Sequence, residues 1–99
     1  LPASLASSAL IADNGTSTSN ILTLRDNATN VFQVIDGGVV VLGNTIRLKV
    51  YTVATLPSGV VGDMAYVSDA LAPTYNATVT GGGAIKIPVF FDGTNWTCH

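Results

Sequence analysis

Residues 31–53 read VFQVIDGGVVVLGNTIRLKVYTV, and this stretch decides the fold class. Val, Ile, Phe, Tyr and Thr crowd into short runs separated by Asp36-Gly37-Gly38 and Gly43-Asn44-Thr45. β-Branched and aromatic side chains fit a pleated strand. Asp-Gly and Gly-Asn fit tight hairpin turns, whose central residues need positive φ. The run Ile46–Val53 alternates, with Ile46, Leu48 and Val50 on one side and Arg47, Lys49 and Tyr51 on the other, the pattern of a half-buried strand. Val39-Val40-Val41-Leu42 is apolar on both sides, so it needs cover on both. In a chain this short a neighbouring subunit is the economical cover, which makes Val39, Val40, Val41 and Leu42 candidates for an intersubunit interface.

Working outward, the runs Ile21–Arg25 and Val31–Ile35 add two more strands across Asn27–Asn30, so that residues 21–53 form a β-meander. Residues 54–99 form a second, small β unit. There Leu56-Pro57-Ser58-Gly59 is a turn, Asp63–Ser68 a short strand, and Asp69–Gly83 a longer loop with a small strand at Ala77–Thr80. Ala84–Phe91 is the next strand, with Ile85, Ile87, Val89 and Phe91 on one face. Pro88 lacks an N–H, which places that strand at an edge or at a bulge. Asp92-Gly93 turns into Thr94–Thr97. Residues 1–20 are small and Ser-rich. The loose spacing of Leu1, Leu5, Ala9 and Leu10 allows a helical turn or two, but caps and charges are missing, which favours an irregular or extended lead-in from an upstream stalk.

The composition agrees. Of the 99 residues 47% are apolar and 10% charged, against about 25% charged in ordinary soluble domains. A monomer would lack the polar groups to cover its apolar surface, which points to an oligomer. Glu is absent, so the usual supply of helical surface residues is missing. The net charge is −2 and the four cations, Arg25, Arg47, Lys49 and Lys86, are scattered, so nucleic acid is disfavoured as a partner. No apolar run reaches the length of a membrane span, and no membrane insertion is expected.

Two stretches resemble a known family. Leu22–Leu48, LTLRDNATNVFQVIDGGVVVLGNTIRL, resembles an element recurring in bacteriophage tail fibres and tail spikes. Val53–Trp96 is similar to the C-terminal unit of phage and prophage tail proteins, through Thr52–Gly59 (TVATLPSG), Ala65–Asp69 (AYVSD), Pro73–Tyr75 (PTY), Gly81-Gly82-Gly83 and Pro88–Trp96 (PVFFDGTNW). The resemblance implies a homotrimer in the virion, at the distal end of a fibre or spike, with roles in assembly, capping and host contact. The expected architecture is all-β: an interwoven, stalk-like meander followed by a sandwich- or barrel-like tip. Val39, Val40, Val41, Leu42 and Trp96 are then the trimer-interface candidates.

The catalytic inventory is thin. His99 is the only histidine and the last residue, expected to fray. The six acids are all Asp, and Asp13, Asp26, Asp36 and Asp92 sit beside Gly or Asn, where their oxygens cap turns. Gly81-Gly82-Gly83 is followed by no Gly-Lys-Ser/Thr and is no phosphate loop. One subunit's Cys98-His99 offers two ligands, below the three or four of a zinc site. No enzyme, metal or cofactor is expected. Asn14, Asn27, Asn76 and Asn95 each begin an Asn-X-Thr triplet, which arises by chance in an Asn- and Thr-rich chain. For binding, a flat aromatic face with nearby amide or carboxylate groups suits a sugar. Tyr75, with Thr74, Asn76 and Asp69, is the receptor-contact candidate, in a long loop of the kind that carries function. The partner would be a host-surface polysaccharide or protein. A purely structural cap, a carbohydrate-binding module and, last, a glycan hydrolase or lyase with intersubunit Asp63 and Asp69 are the alternatives.

Overall fold

The computed structural model describes residues 10–99, so the first nine residues of the expected lead-in lie outside the described residues. The chain is all-β, with two open sheets and no α-helix among the described residues. It divides into two compact units, one ending at Ile46 and the other spanning Arg47–His99.

The first unit is a three-stranded antiparallel meander, β1 (Leu22–Asp26), β2 (Thr29–Val34) and β3 (Val40–Leu42), in that order. Asn27 and Ala28 close the first hairpin with φ of 47° and 64°, the double left-handed geometry of a type I′ turn. Arg25 Nε donates to Asn30 Oδ1 across it at 2.8 Å. A register shift between Leu24 and Arg25 leaves Val31 without a partner in the ladder, a bulge that adds twist. The second hairpin turns at Gly37 and Gly38, with φ of 90° and 92°. Ile35 N–H donates to Val39 O at 3.0 Å and Gly38 N–H to Ile35 O at 2.9 Å. The Asp-Gly turn expected there is present.

The second unit is a four-stranded sheet in the order β4 (Val50–Tyr51), β5 (Met64–Ala70), β6 (Ile85–Phe91), β7 (Trp96–Cys98). β4 runs parallel to β5, and the other pairs are antiparallel. A single 3-10 turn, Val53–Thr55, follows β4. Thr52 N–H donates to Thr55 Oγ1 at 3.0 Å, and Val53 N–H donates to Asp69 Oδ1 at 2.8 Å, so the side chains of Thr55 and Asp69 fix where that turn begins. Residues 76–79 run against the outer edge of β7. Asn76 N–H donates to Cys98 O, Cys98 N–H to Ala77 O, and Val79 N–H to Trp96 O, each at 2.8–2.9 Å. The small strand expected at Ala77–Thr80 is thus one bridge, Thr78 to Thr97.

The core lies in the second unit: Ala65, Val67, Ala70, Val79, Val89 and Cys98, with Tyr51, Val53, Leu56, Ile87 and Trp96 packed around it. Ladder pairing of Ala65 with Val89 and Cys98, and of Tyr51 with Val67 and Ile87, puts these side chains on one face. In the first unit no described residue is buried.

Two expectations need correction. Ile46–Val53 is not the last strand of the meander. Only Val50 and Tyr51 are strand, and they pair in the second sheet. The expected faces are also reversed: Ile46 and Val50 are exposed while Tyr51 packs on the core. Alternation sets a period of two, but neither the partner strand nor the buried side. Tyr51 has the larger apolar surface, and its ring also carries the Lys49 ammonium, 5.0 Å from the centroid. Pro88 lies in β6, an inner strand rather than an edge. Its carbonyl accepts from His99 N–H at 3.1 Å, and the β5–β6 ladder shifts register beside it, between Val67 and Ala70, which is the irregularity expected as the alternative to an edge.

Candidate functional site

Two surfaces stand out, one in each unit. In the first unit the register aligns Leu22, Val34 and Val40 in one row and Leu24, Phe32 and Leu42 in the next. Residues opposite one another in a ladder share a face, and so do residues two apart along a strand. All six side chains therefore stand on one face, and all six are apolar. Leu24 is 50% exposed, Val40 54% and Leu42 40%. The opposite face carries the row Thr23, Gln33, Val41, where Asn20 Nδ2 donates to Thr23 Oγ1 at 3.0 Å and to Gln33 Oε1 at 2.8 Å. Val39 and Val41 remain open on that side. The interface candidates Val39, Val40, Val41 and Leu42 are thus all exposed in the single chain, whereas Trp96 packs on its own core and its Nε1–H donates to Pro57 O at 3.1 Å.

In the second unit the segment joining β5 to β6 carries Thr74, Tyr75 and Asn76. Tyr75 is 77% exposed. Its surroundings are held by backbone bonds: Ala77 N–H to Thr74 O at 3.0 Å, Asn76 N–H to Cys98 O, and Leu71 N–H to Thr80 O at 2.9 Å. Asn76 takes φ of 63°, a left-handed position that Asn tolerates. Gly83 closes the segment, where a Cβ would run into the Ala70 carbonyl. Asp69, grouped with Tyr75 above, belongs to β5 and uses its carboxylate on Val53 N–H.

His99 is the residue that sequence reasoning passed over. It is not a frayed end. Its N–H donates to Pro88 O, its Nε2 lies 3.0 Å from Thr97 Oγ1, and its ring stands edge-on to Tyr75 and to Phe90, with centroids 5.1 and 5.8 Å away. The signal available was the run Trp96-Thr97-Cys98-His99, which continues a strand alternation to the last residue. Pro73, Tyr75, Ile87, Cys98 and His99 together line a cleft of about 150 Å³. A second hollow of about 220 Å³ lies between the 3-10 turn and β7, with Val53, Leu56, Phe91 and Trp96 in its wall.

Of the carboxylates, Asp13, Asp63 and Asp92 bond to the backbone of their own turns, whereas Asp36 takes a side chain 22 residues away. Asp13 accepts from Gly15 N–H, Asp36 from Asn14 Nδ2, and Asp63 from Val60 N–H. Asp92 accepts from Asn95 N–H at 2.7 Å and Thr94 N–H at 2.8 Å, and these bonds hold its carboxyl below the ordinary aspartate range. No group of three or more His, Cys, Asp or Glu placed to hold a metal occurs among the described residues. No helix among them is long and apolar enough to cross a membrane. Comparison with protein-family models gave no match, and neither did the searches of curated proteins and of solved structures.

Proposed function

We propose that the chain is a structural and adhesive segment of a phage tail fibre or spike, a homotrimer at the distal end that attaches to a host surface, with glycan as the favoured ligand. The observation that carries this reading is the apolar face formed by Leu22, Leu24, Phe32, Val34, Val40 and Leu42, none of them buried among the described residues. Side chains of this size gain about 1.5–3 kcal/mol each on full burial, and none of the described residues of this unit is buried. Copies of the same sheet are the natural cover, because the face has no charge or donor to recruit a polar partner. Sheets packed face to face interdigitate such rows at a spacing of about 10 Å. The second unit has its own core and presents the Tyr75 segment, consistent with a tip that contacts the host.

Light scattering on a size-exclusion column tests assembly, and adsorption to bacterial cells tests attachment. A stable particle of three chains that adsorbs supports the reading. A trimer that adsorbs to no cells or surface polysaccharide supports a purely structural cap. A well-behaved monomer removes the reason given for the exposed face and brings a carbohydrate-binding module forward.

A further inference from the structure

The geometry points to the cleft between Tyr75, Pro73 and His99 as a site for a single hexopyranose ring, read by the Tyr75 face and by His99 Nδ1 as a hydrogen-bond acceptor. This deepens the host-attachment reading and rests on it for its biological setting.

Three observations converge. The first is that an aromatic ring is 77% exposed on a segment whose backbone is held to β7 on one side and closed by Thr80 and Gly83 on the other. A rigidly presented aromatic loses little conformational freedom when a flat partner stacks on it. The second is size. The cleft holds about 150 Å³, room for one small ring and well short of the 300–1,000 Å³ of drug-sized sites. Its walls include carbon surfaces of Pro73, Ile87 and Tyr75, which suit the C–H face of a sugar, beside polar surface that suits its hydroxyls.

The third is the tautomer of His99. The Thr97 hydroxyl has one proton and two neighbours at 3.0 Å, Phe90 O and His99 Nε2. A carbonyl oxygen only accepts, so the Thr97 proton goes to Phe90 O. His99 Nε2–H must then donate to Thr97 Oγ1. In the neutral ring the remaining nitrogen, Nδ1, holds a lone pair and accepts. A cleft with carbon walls and an imidazole acceptor selects a ligand that combines an apolar face with hydroxyl donors. A pyranose has both. The neutral ring offers an anion no donor, and a purely apolar ligand would leave its Nδ1 without a partner.

His99 is the only histidine and Trp96 the only tryptophan, so each gives unique proton NMR signals in the full chain. The probes are the methyl glycosides of glucose, galactose, mannose and N-acetylglucosamine, titrated one at a time. At least one should move the His99 imidazole and Tyr75 ring signals while the Trp96 indole, in the wall of the other hollow, stays in place. Half-saturation is expected at about 1–10 mM, as befits one ring in an open cleft. Tyr75→Ala should weaken binding about tenfold or more. His99→Phe keeps an aromatic wall without the acceptor and should weaken binding about tenfold with the Trp96 signals unchanged, which separates lost recognition from lost folding. No shift with any of the four glycosides overturns the inference, and so does a shift that survives both substitutions. Wild-type protein that adsorbs to cells while no glycoside moves His99 sinks the cleft and leaves attachment standing. Glycoside binding without cell adsorption sustains the cleft and sinks attachment.

Discussion

Replacing Leu24 by Asn tests the apolar face directly. Leu24 stands at the edge of the row Leu24–Phe32–Leu42 and half of it is open to solvent in the single chain. Covering a whole Leu side chain stabilises by about 2 kcal/mol, so covering the open half contributes about 1 kcal/mol per chain. A trimer contains three such positions, which gives about 3 kcal/mol for the assembly, or roughly a hundredfold in the association constant. Asn in the separated chain is solvated at little cost, and in the assembly it also needs a hydrogen-bond partner, so this is a lower figure. Because the association constant of a trimer scales with the inverse square of the midpoint concentration, light scattering at a series of concentrations reads the effect as a shift of the trimer midpoint to about tenfold-higher concentration, relative to wild type. Far-UV circular dichroism at high concentration should match wild type. If the mass and its concentration dependence are those of wild type, the face is not the interface, and the argument from its six apolar side chains fails.

Other perturbations separate the units and the turns. Val67→Ala, at a fully buried position, should lower the unfolding free energy of the second unit by about 2 kcal/mol in denaturant titration and leave the oligomer mass alone. Asp69→Ala removes the acceptor for Val53 N–H, and about 1 kcal/mol of stability should go with it, read in the same titration. Asp92 has a folded-state carboxyl held below its ordinary range, so its contribution is complete above that range and is lost as pH falls through the folded value. The stability gap between wild type and Asp92→Asn, followed by denaturant titration, should therefore shrink as the solution is acidified. Gly83→Val drives a side chain into the Ala70 carbonyl and should destabilise the second unit and disorder the Tyr75 segment, seen as loss of the Tyr75 ring signals from their folded positions.

How much could be read from the sequence divides along a physical line. Asp36-Gly37 and Asp92-Gly93 are turns whose chemistry is local, and both turns are where the residues place them. The alternation of Ile85, Ile87, Val89 and Phe91 follows from a period of two, and Ile87 and Val89 meet the core as expected while Ile85 is exposed. Partner choice is another matter. Nothing between Ile46 and Val53 states that Val50 and Tyr51 will lie parallel to Tyr66 and Val67, because that pairing depends on residues far along the chain. Pro88 announces an edge or an irregular ladder, and which of the two holds is decided by β5, whose register shift beside it no local pattern states. The candidate site shows the same split. Tyr75 is visible as an aromatic in a long loop. The role of His99 depends on Thr97, Phe90 and Pro88 converging, which only the folded ladder brings about.

The second unit has a core and the described residues of the first have none buried, so the two should melt differently. Residues 47–99 carry their own interior, and their unfolding temperature should be the same at any protein concentration. Residues 10–46 borrow theirs, so by mass action their unfolding temperature should rise with concentration and fall on dilution. A single transition temperature is then not a property of this molecule. Heated at successive dilutions, it should show one fixed step and one that travels, and the travelling step measures the strength of association without any binding assay.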